Sequence, residues 1–155
     1  MTPEDLREEV NIELESMETT VRELVSLRTE VAGRLPTLRE KTAASAFLSD
    51  LYGGIENILK RISYYHNISL PIGDSWHIEL FRRFCDPPHG SLPTLFDRSL
   101  ASELSYFRKF RHVARHGYSV RLDWDRMREG VETVEDIYSR FKQALFSYLE
   151  TLQPV

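Results

Sequence analysis

Apolar side chains at Leu6, Val10, Leu14, Met17, Val21, Leu24, Leu27 or Arg28, Val31 and Leu35 recur every three or four positions, the spacing of one helical face. This pattern predicts a first helix from about Pro3 to about Leu35, with Pro3 suited to a first turn after Thr2 and Pro36 as the breaker. A second stripe of Phe47, Leu51, Ile55, Ile58, Leu59 and Ile62 predicts a helix over about Thr37 to His66, where Gly53-Gly54 lets a neighbour approach closely. Asn67 to Asp74 reads as a turn segment, Trp76 to Phe84 as a short helix, and DPPHGSLP as a loop stiffened by its prolines. A further helix is predicted from near Thr94 through Arg115, with Gly117 a suitable stop. The last starts at about Asp123, a good N-cap, and turns Met127, Val131, Val134, Ile137, Phe141, Leu145, Tyr148 and Leu149 inward.

No segment alternates with period two for long enough to form a convincing strand. The expected fold is therefore all-α, an antiparallel bundle of four long helices plus a short one, with residues 1–155 as a single domain. A chain of this length buries roughly 70% of its unfolded surface, so the core needs no disulfide or metal staple. The lone Cys85 excludes an intrachain disulfide scaffold and paired CxxC motifs. The acidic, amphipathic start MTPEDLREEVNIELE is unlike a secretory signal, and no run of about 18 apolar residues exists, so a soluble, cytoplasmic protein without membrane contact is expected.

The net charge of −4 argues against a generally basic nucleic-acid binder. Charge is unevenly placed, however. Residues 1–40 hold ten acidic and five basic side chains, a balance of −5, whereas residues 108–128 hold seven basic and two acidic, a balance of +5. Any anion site belongs in the second window.

Within it, Arg108, Lys109, Arg111, His112, Arg115 and His116 crowd into nine residues. One reading is a solvated basic face, favoured near a helix C-terminus by the macrodipole. A second is chemical: histidine shuttles protons near neutral pH, and a fixed guanidinium stabilises charge building on a pentavalent phosphorus. In RNA the ribose 2′-OH is the nucleophile, so cleavage needs neither a protein nucleophile nor a metal or other cofactor. In an unbroken helix Arg111 and His116 lie about 140° apart. Convergence requires either that the helix ends near Ala114 or Arg115 or that two copies of the chain pool their residues. The third reading is zinc on His112 and His116 at i, i+4, with Cys85, Asp86 and His89 as further candidates, although those three lack motif spacing and the arginines would repel a dication.

Arg111-x4-His116-x-Tyr118 matches the RX4HXY motif of HepT-type HEPN ribonuclease toxins. The phrase Ile55-Glu56-Asn57-Ile58-Leu59-Lys60-Arg61-Ile62, Ser75-Trp76-His77 at the short helix, and Phe110-Arg111-His112-Val113 extend the likeness, so that nearly the whole chain resembles a HepT-like protein. The resemblance implies a HEPN bundle that dimerises so that two motif segments line one cleft, and an endoribonuclease that leaves a 2′,3′-cyclic phosphate without metal. It implies that Arg111 polarises the scissile phosphate, His116 acts as general acid or base and His112 positions substrate. It further implies a toxin–antitoxin pair, in which a minimal nucleotidyltransferase partner, MntA, adenylylates the motif tyrosine, here Tyr118; the added charge and bulk would block RNA. HEPN domains also include non-catalytic members, so a helical binding module that docks a nucleotidyltransferase or a nucleotide is the alternative.

The remaining candidates carry plainer expectations. Arg108, Arg115 and Arg121 are placed to contact flanking phosphates if exposed. Glu56 and Lys60 are spaced for an i, i+4 surface pair. Trp76 and His77 read as packing and capping residues, Tyr64 and Tyr65 as core aromatics that could otherwise stack on bases, and Cys85 as a small buried residue.

Overall fold

A computed structural model describes residues 1–115 and 123–153. Five helices follow one another: α1 (Pro3–Glu30), α2 (Leu38–Tyr65), α3 (Trp76–Arg82), α4 (Arg98–Arg115) and α5 (Trp124–Glu150). The four long ones run up and down. The start of α1 meets the end of α5, where Arg7 Nη2 donates to the carbonyls of Leu149 and Leu152, and the end of α1 meets the start of α5 through Arg28 and Glu135. Arg61 of α2 reaches Glu9 and Glu13 of α1. Tyr106 of α4 donates to the Arg126 carbonyl of α5, while Glu103 pairs with Arg140 further along, which fixes those helices antiparallel. The all-α bundle with one additional short helix is thus as the periodicity predicts, and no strand occurs among the described residues. Also among them, no helix is long and apolar enough to cross a membrane.

Local chemistry explains the helix starts. Thr2 and Asp5 form a capping box on α1, as Thr37 and Glu40 do on α2, each satisfying backbone N–H groups that a helix leaves orphaned. Arg34 grips both Glu40 oxygens at 2.8 and 2.7 Å, and this hydrogen bonding, with the Thr37 backbone, brings the Glu40 carboxyl down to about 2. Asp123 caps α5 through Asp125 N. Every α5 residue expected to face inward is buried.

The short α3 ends at Arg82, two residues before Phe84, and two boundaries differ from the sequence pattern by more. The first helix stops at Glu30 rather than about Leu35, because Gly33 takes a left-handed conformation (φ +79°) and breaks the register; Leu35 then lies 82% exposed instead of in the core. Helix α4 starts at Arg98 rather than near Thr94. Leu95 N and Phe96 N both donate to the Phe84 carbonyl, Phe96 is buried between Phe81 and Phe141, and Asp97 Oδ1 accepts from Leu100 N as the cap. Gly117, the expected stop of α4, lies outside the described residues.

Helix α2 occupies the centre, packing on each of the other four. A Cβ at Gly54 would stand 2.6 Å from Met17 Cγ, so this glycine sets how closely α1 approaches. Gly54→Ala is expected to overpack that contact and cost about 1–3 kcal/mol in urea denaturation, and an unchanged midpoint would contradict it. At the other end of α2, His66 Nε2 lies 2.7 Å from Tyr148 Oη, and burial lowers the imidazole's pKa from its ordinary 6.5. The unfolded chain therefore takes up this proton more readily than the folded one. The resulting stability is complete above the unfolded value and is lost as pH falls through the lowered folded one. Between about pH 7.5 and about pH 5, chemical-denaturation midpoints should fall less for His66→Gln than for the wild type; parallel slopes would contradict the assignment.

Candidate functional site

A cleft of about 900 Å³ opens where α2, α3 and α4 meet. Helix α2 contributes Tyr52 and Glu56, one turn apart on a single face. Helix α4 contributes Arg108, Arg111 and Arg115, whose i, i+3, i+7 spacing brings three guanidinium groups to one side, with Lys109 and His112 beside them. The short α3 closes the third wall with Trp76 and His77.

The centre of the arrangement is Glu56, only 3% exposed. One carboxylate oxygen lies 2.8 Å from His77 Nδ1, and the other is 3.4 Å from Arg111 Nε, close enough for an ion pair but not oriented as a hydrogen bond. Arg111 is held from a second side as well, because its Nη1 donates to the Ser49 carbonyl at 2.7 Å. The guanidinium lies directly over Gly53, where a Cβ would come within 2.5 Å of Nη1. Any other residue at 53 would push this group off its seat. Arg111 also borders a smaller hollow of about 330 Å³ on the α1 side, which Glu13 and Asp50 make acidic.

Aromatic contacts brace the opposite wall. Trp76 and His77 rings are 3.6 Å apart, and Lys60 Nζ sits 4.7 Å above the indole. Arg108 extends over the Phe81 ring at 5.8 Å. Four buried side-chain polar atoms among the described residues have no hydrogen-bond partner, and three of them belong to cleft residues: Tyr52 Oη, Arg108 Nε and Arg111 Nε. Burial, and then the charge of Glu56, push the Tyr52 phenol well above its ordinary pKa, which keeps it a proton donor.

Of the residues that the sequence singles out, Arg108, Arg111, His112 and Arg115 line this one cleft, with His112 and Arg115 exposed. His116, Tyr118 and Arg121 lie outside the described residues. The expected surface pair of Glu56 and Lys60 is overturned: Glu56 turns inward to Arg111 and His77, and Lys60 covers Trp76. His77 is no cap, since Ser75 stands at the N-cap of α3 without a side-chain hydrogen bond. Tyr64 is 60% exposed rather than core, and Cys85 is half-buried, its thiol pushed up mainly by burial. No group of His, Cys, Asp and Glu able to hold a metal occurs among the described residues. The spacing reading missed Tyr52, Gly53, Glu56 and His77 as parts of the site. A signal was present for Glu56, which falls on the same helical stripe as Tyr52, Ile55 and Leu59 and so had to be buried.

Residues 43–152 match a family described as HepT-like protein, a span that contains every side chain lining the cleft. No curated protein and no solved structure matches the chain.

Removing the carboxylate at 56 leaves Arg111 without its counter-charge and His77 without its hydrogen-bond partner. Glu56→Ala is expected to destabilise the fold by about 3 kcal/mol, the low end for one member of a buried pair because Arg111 keeps some solvent contact. Glu56→Gln, which keeps the shape, should cost less. Equal denaturation midpoints for the wild type and Glu56→Ala would show that the carboxylate holds nothing together.

Proposed function

The chain belongs to the HepT-like protein family, and from that premise we propose that it is an endoribonuclease toxin that cleaves RNA without a metal. The observation that carries the reading is the seat of Arg111. A carboxylate, a backbone carbonyl and a glycine hold its guanidinium at a cleft that other cations flank, immediately before the segment bearing His116 and Tyr118. A guanidinium fixed in advance loses little freedom when an anion arrives, and it is oriented before charge develops.

The reaction needs few parts. The ribose 2′-oxygen attacks the adjacent phosphorus and gives up its proton, the bond to the 5′-oxygen breaks, and that oxygen takes a proton as it leaves. A 2′,3′-cyclic phosphate and a 5′-hydroxyl end result. Arg111 stabilises the charge on the phosphoryl oxygens, and His116 exchanges the proton. His112, Arg108 and Arg115 position the strand, and a second copy of the chain brings a second set of these residues to the shared site. A minimal nucleotidyltransferase of the MntA kind silences the toxin by adenylylating Tyr118, which puts negative charge where phosphate must enter.

One observation favours the alternative, a non-catalytic module that docks a nucleotidyltransferase or a nucleotide: Arg111 is already engaged by Glu56 and Ser49, as a structural arginine would be. Both readings are decided by one comparison. Wild type, Arg111→Ala and His116→Ala are expressed in cells and assayed on RNA in vitro. Each substitution is expected to restore growth and to lower cleavage by at least about a hundredfold, the usual loss when an acid–base or charge-stabilising group goes. Equal growth and equally intact RNA in all three would leave the binding module standing.

A further inference from the structure

We infer that the Tyr52 hydroxyl is a donor of the cleft's anion site, binding a phosphate-class oxyanion together with the guanidinium groups of Arg108 and Arg111. The inference deepens the reading above, because it names a contact for the phosphate that the reading requires.

Its basis is hydrogen-bond accounting. Buried polar atoms are nearly always paired, since leaving one unpaired forfeits its solvation without compensation. Tyr52 is 1% exposed, and its hydroxyl has neither a protein partner nor contact with solvent. A core position that only needed an aromatic ring would carry Phe. Two of the other three unpartnered atoms are the Nε groups of Arg108 and Arg111, in the same cleft. All three are donors when the phenol is protonated. Arg111 Nε has at least the ion pair with Glu56, whereas Tyr52 Oη and Arg108 Nε have no acceptor, and such donors beside a guanidinium call for a ligand rich in acceptors and negatively charged. Phosphate offers several oxygens to several donors at once, which matches this set.

The carboxylate of Glu56 limits where such an anion sits. It repels an anion from the His77 side and already occupies the neighbourhood of Arg111 Nε. Its charge also reaches Tyr52, but there the charges of Arg108 and Arg111 oppose it, so the anion is directed to the Arg108 side of the hydroxyl. Arg111 keeps its seat, and the Arg108 side chain re-aims to uncover the hydroxyl. An incoming negative charge favours that movement.

The distinguishing feature is the opposite sign of two effects. A hydroxyl kept for packing stabilises the protein, whereas one kept for a ligand is a burden to the empty fold. Tyr52→Phe is expected to melt at the same temperature as the wild type or higher, and to bind inorganic phosphate about 10- to 100-fold more weakly, at constant ionic strength by calorimetry. Arg108→Gln should also weaken phosphate binding. Arg34→Gln, whose guanidinium is taken up by Glu40 at the start of α2, should not. Equal phosphate affinity in wild type and Tyr52→Phe would overturn the inference. So would a wild type that binds no phosphate at millimolar concentrations, or a Tyr52→Phe protein that melts several degrees lower. None of these readings depends on RNA cleavage, so an inactive wild type that binds phosphate through Tyr52 would sink the proposed nuclease and leave this site intact.

Discussion

Two adjacent glycines on α2 set the distances on which the rest of the molecule depends. Gly54 receives Met17 from α1, and Gly53 receives the guanidinium of Arg111 from α4, so the central helix is approached closely from both sides. An alanine at either place would meet an atom at 2.6 Å or less, but the consequences differ. Met17 is buried and is met at its Cγ, close to its own backbone, whereas Arg111 is met at the far end of its side chain. One glycine therefore belongs to the packing of the bundle and the next to the geometry of the cleft. The contact on the cleft side is made with backbone, through Ser49, as much as with side chains.

The cleft illustrates how a basic segment becomes a site. Charge alone, three arginines and a lysine near the end of a helix, is compatible with a solvated surface. Burial of Glu56 changes its meaning, because a carboxylate withdrawn from water is stable only where cations and donors surround it. Arg111 and His77 supply them from two different helices, which locks α3 and α4 to α2. The same interaction that binds the helices together thus also fixes the orientation of the guanidinium.

Most of the architecture was legible in periodicity. The stripes of α2 and α5, the helix starts after Thr2 and at Thr37 and the cap at Asp123 carry their own physical signature, and each lies where that signature puts it. The errors arose where a local signal had a competitor. Gly33 ended α1 before Pro36 could, and Asp97 outcompeted Thr94 as the cap of α4 because Phe96 is needed in the core. At the site, Arg108, Arg111, His112 and Arg115 were legible as a cluster in sequence. The pairing of Glu56 with His77 was not, since they are 21 residues apart and meet only through the packing of α3 on α2. A charged residue on a buried stripe is a local anomaly, and its partner can be read only from tertiary structure.

The cluster of Lys60, Trp76 and His77 has an optical consequence. Indole emission responds to stacked imidazole and to nearby charge, and Trp76 has an ammonium on one contact and, through His77, a connection to the carboxylate that holds Arg111. The only other tryptophan, Trp124, stands at the start of α5, away from these residues. The protein therefore carries a built-in fluorophore whose surroundings include the cleft wall, and its emission offers a label-free record of what enters.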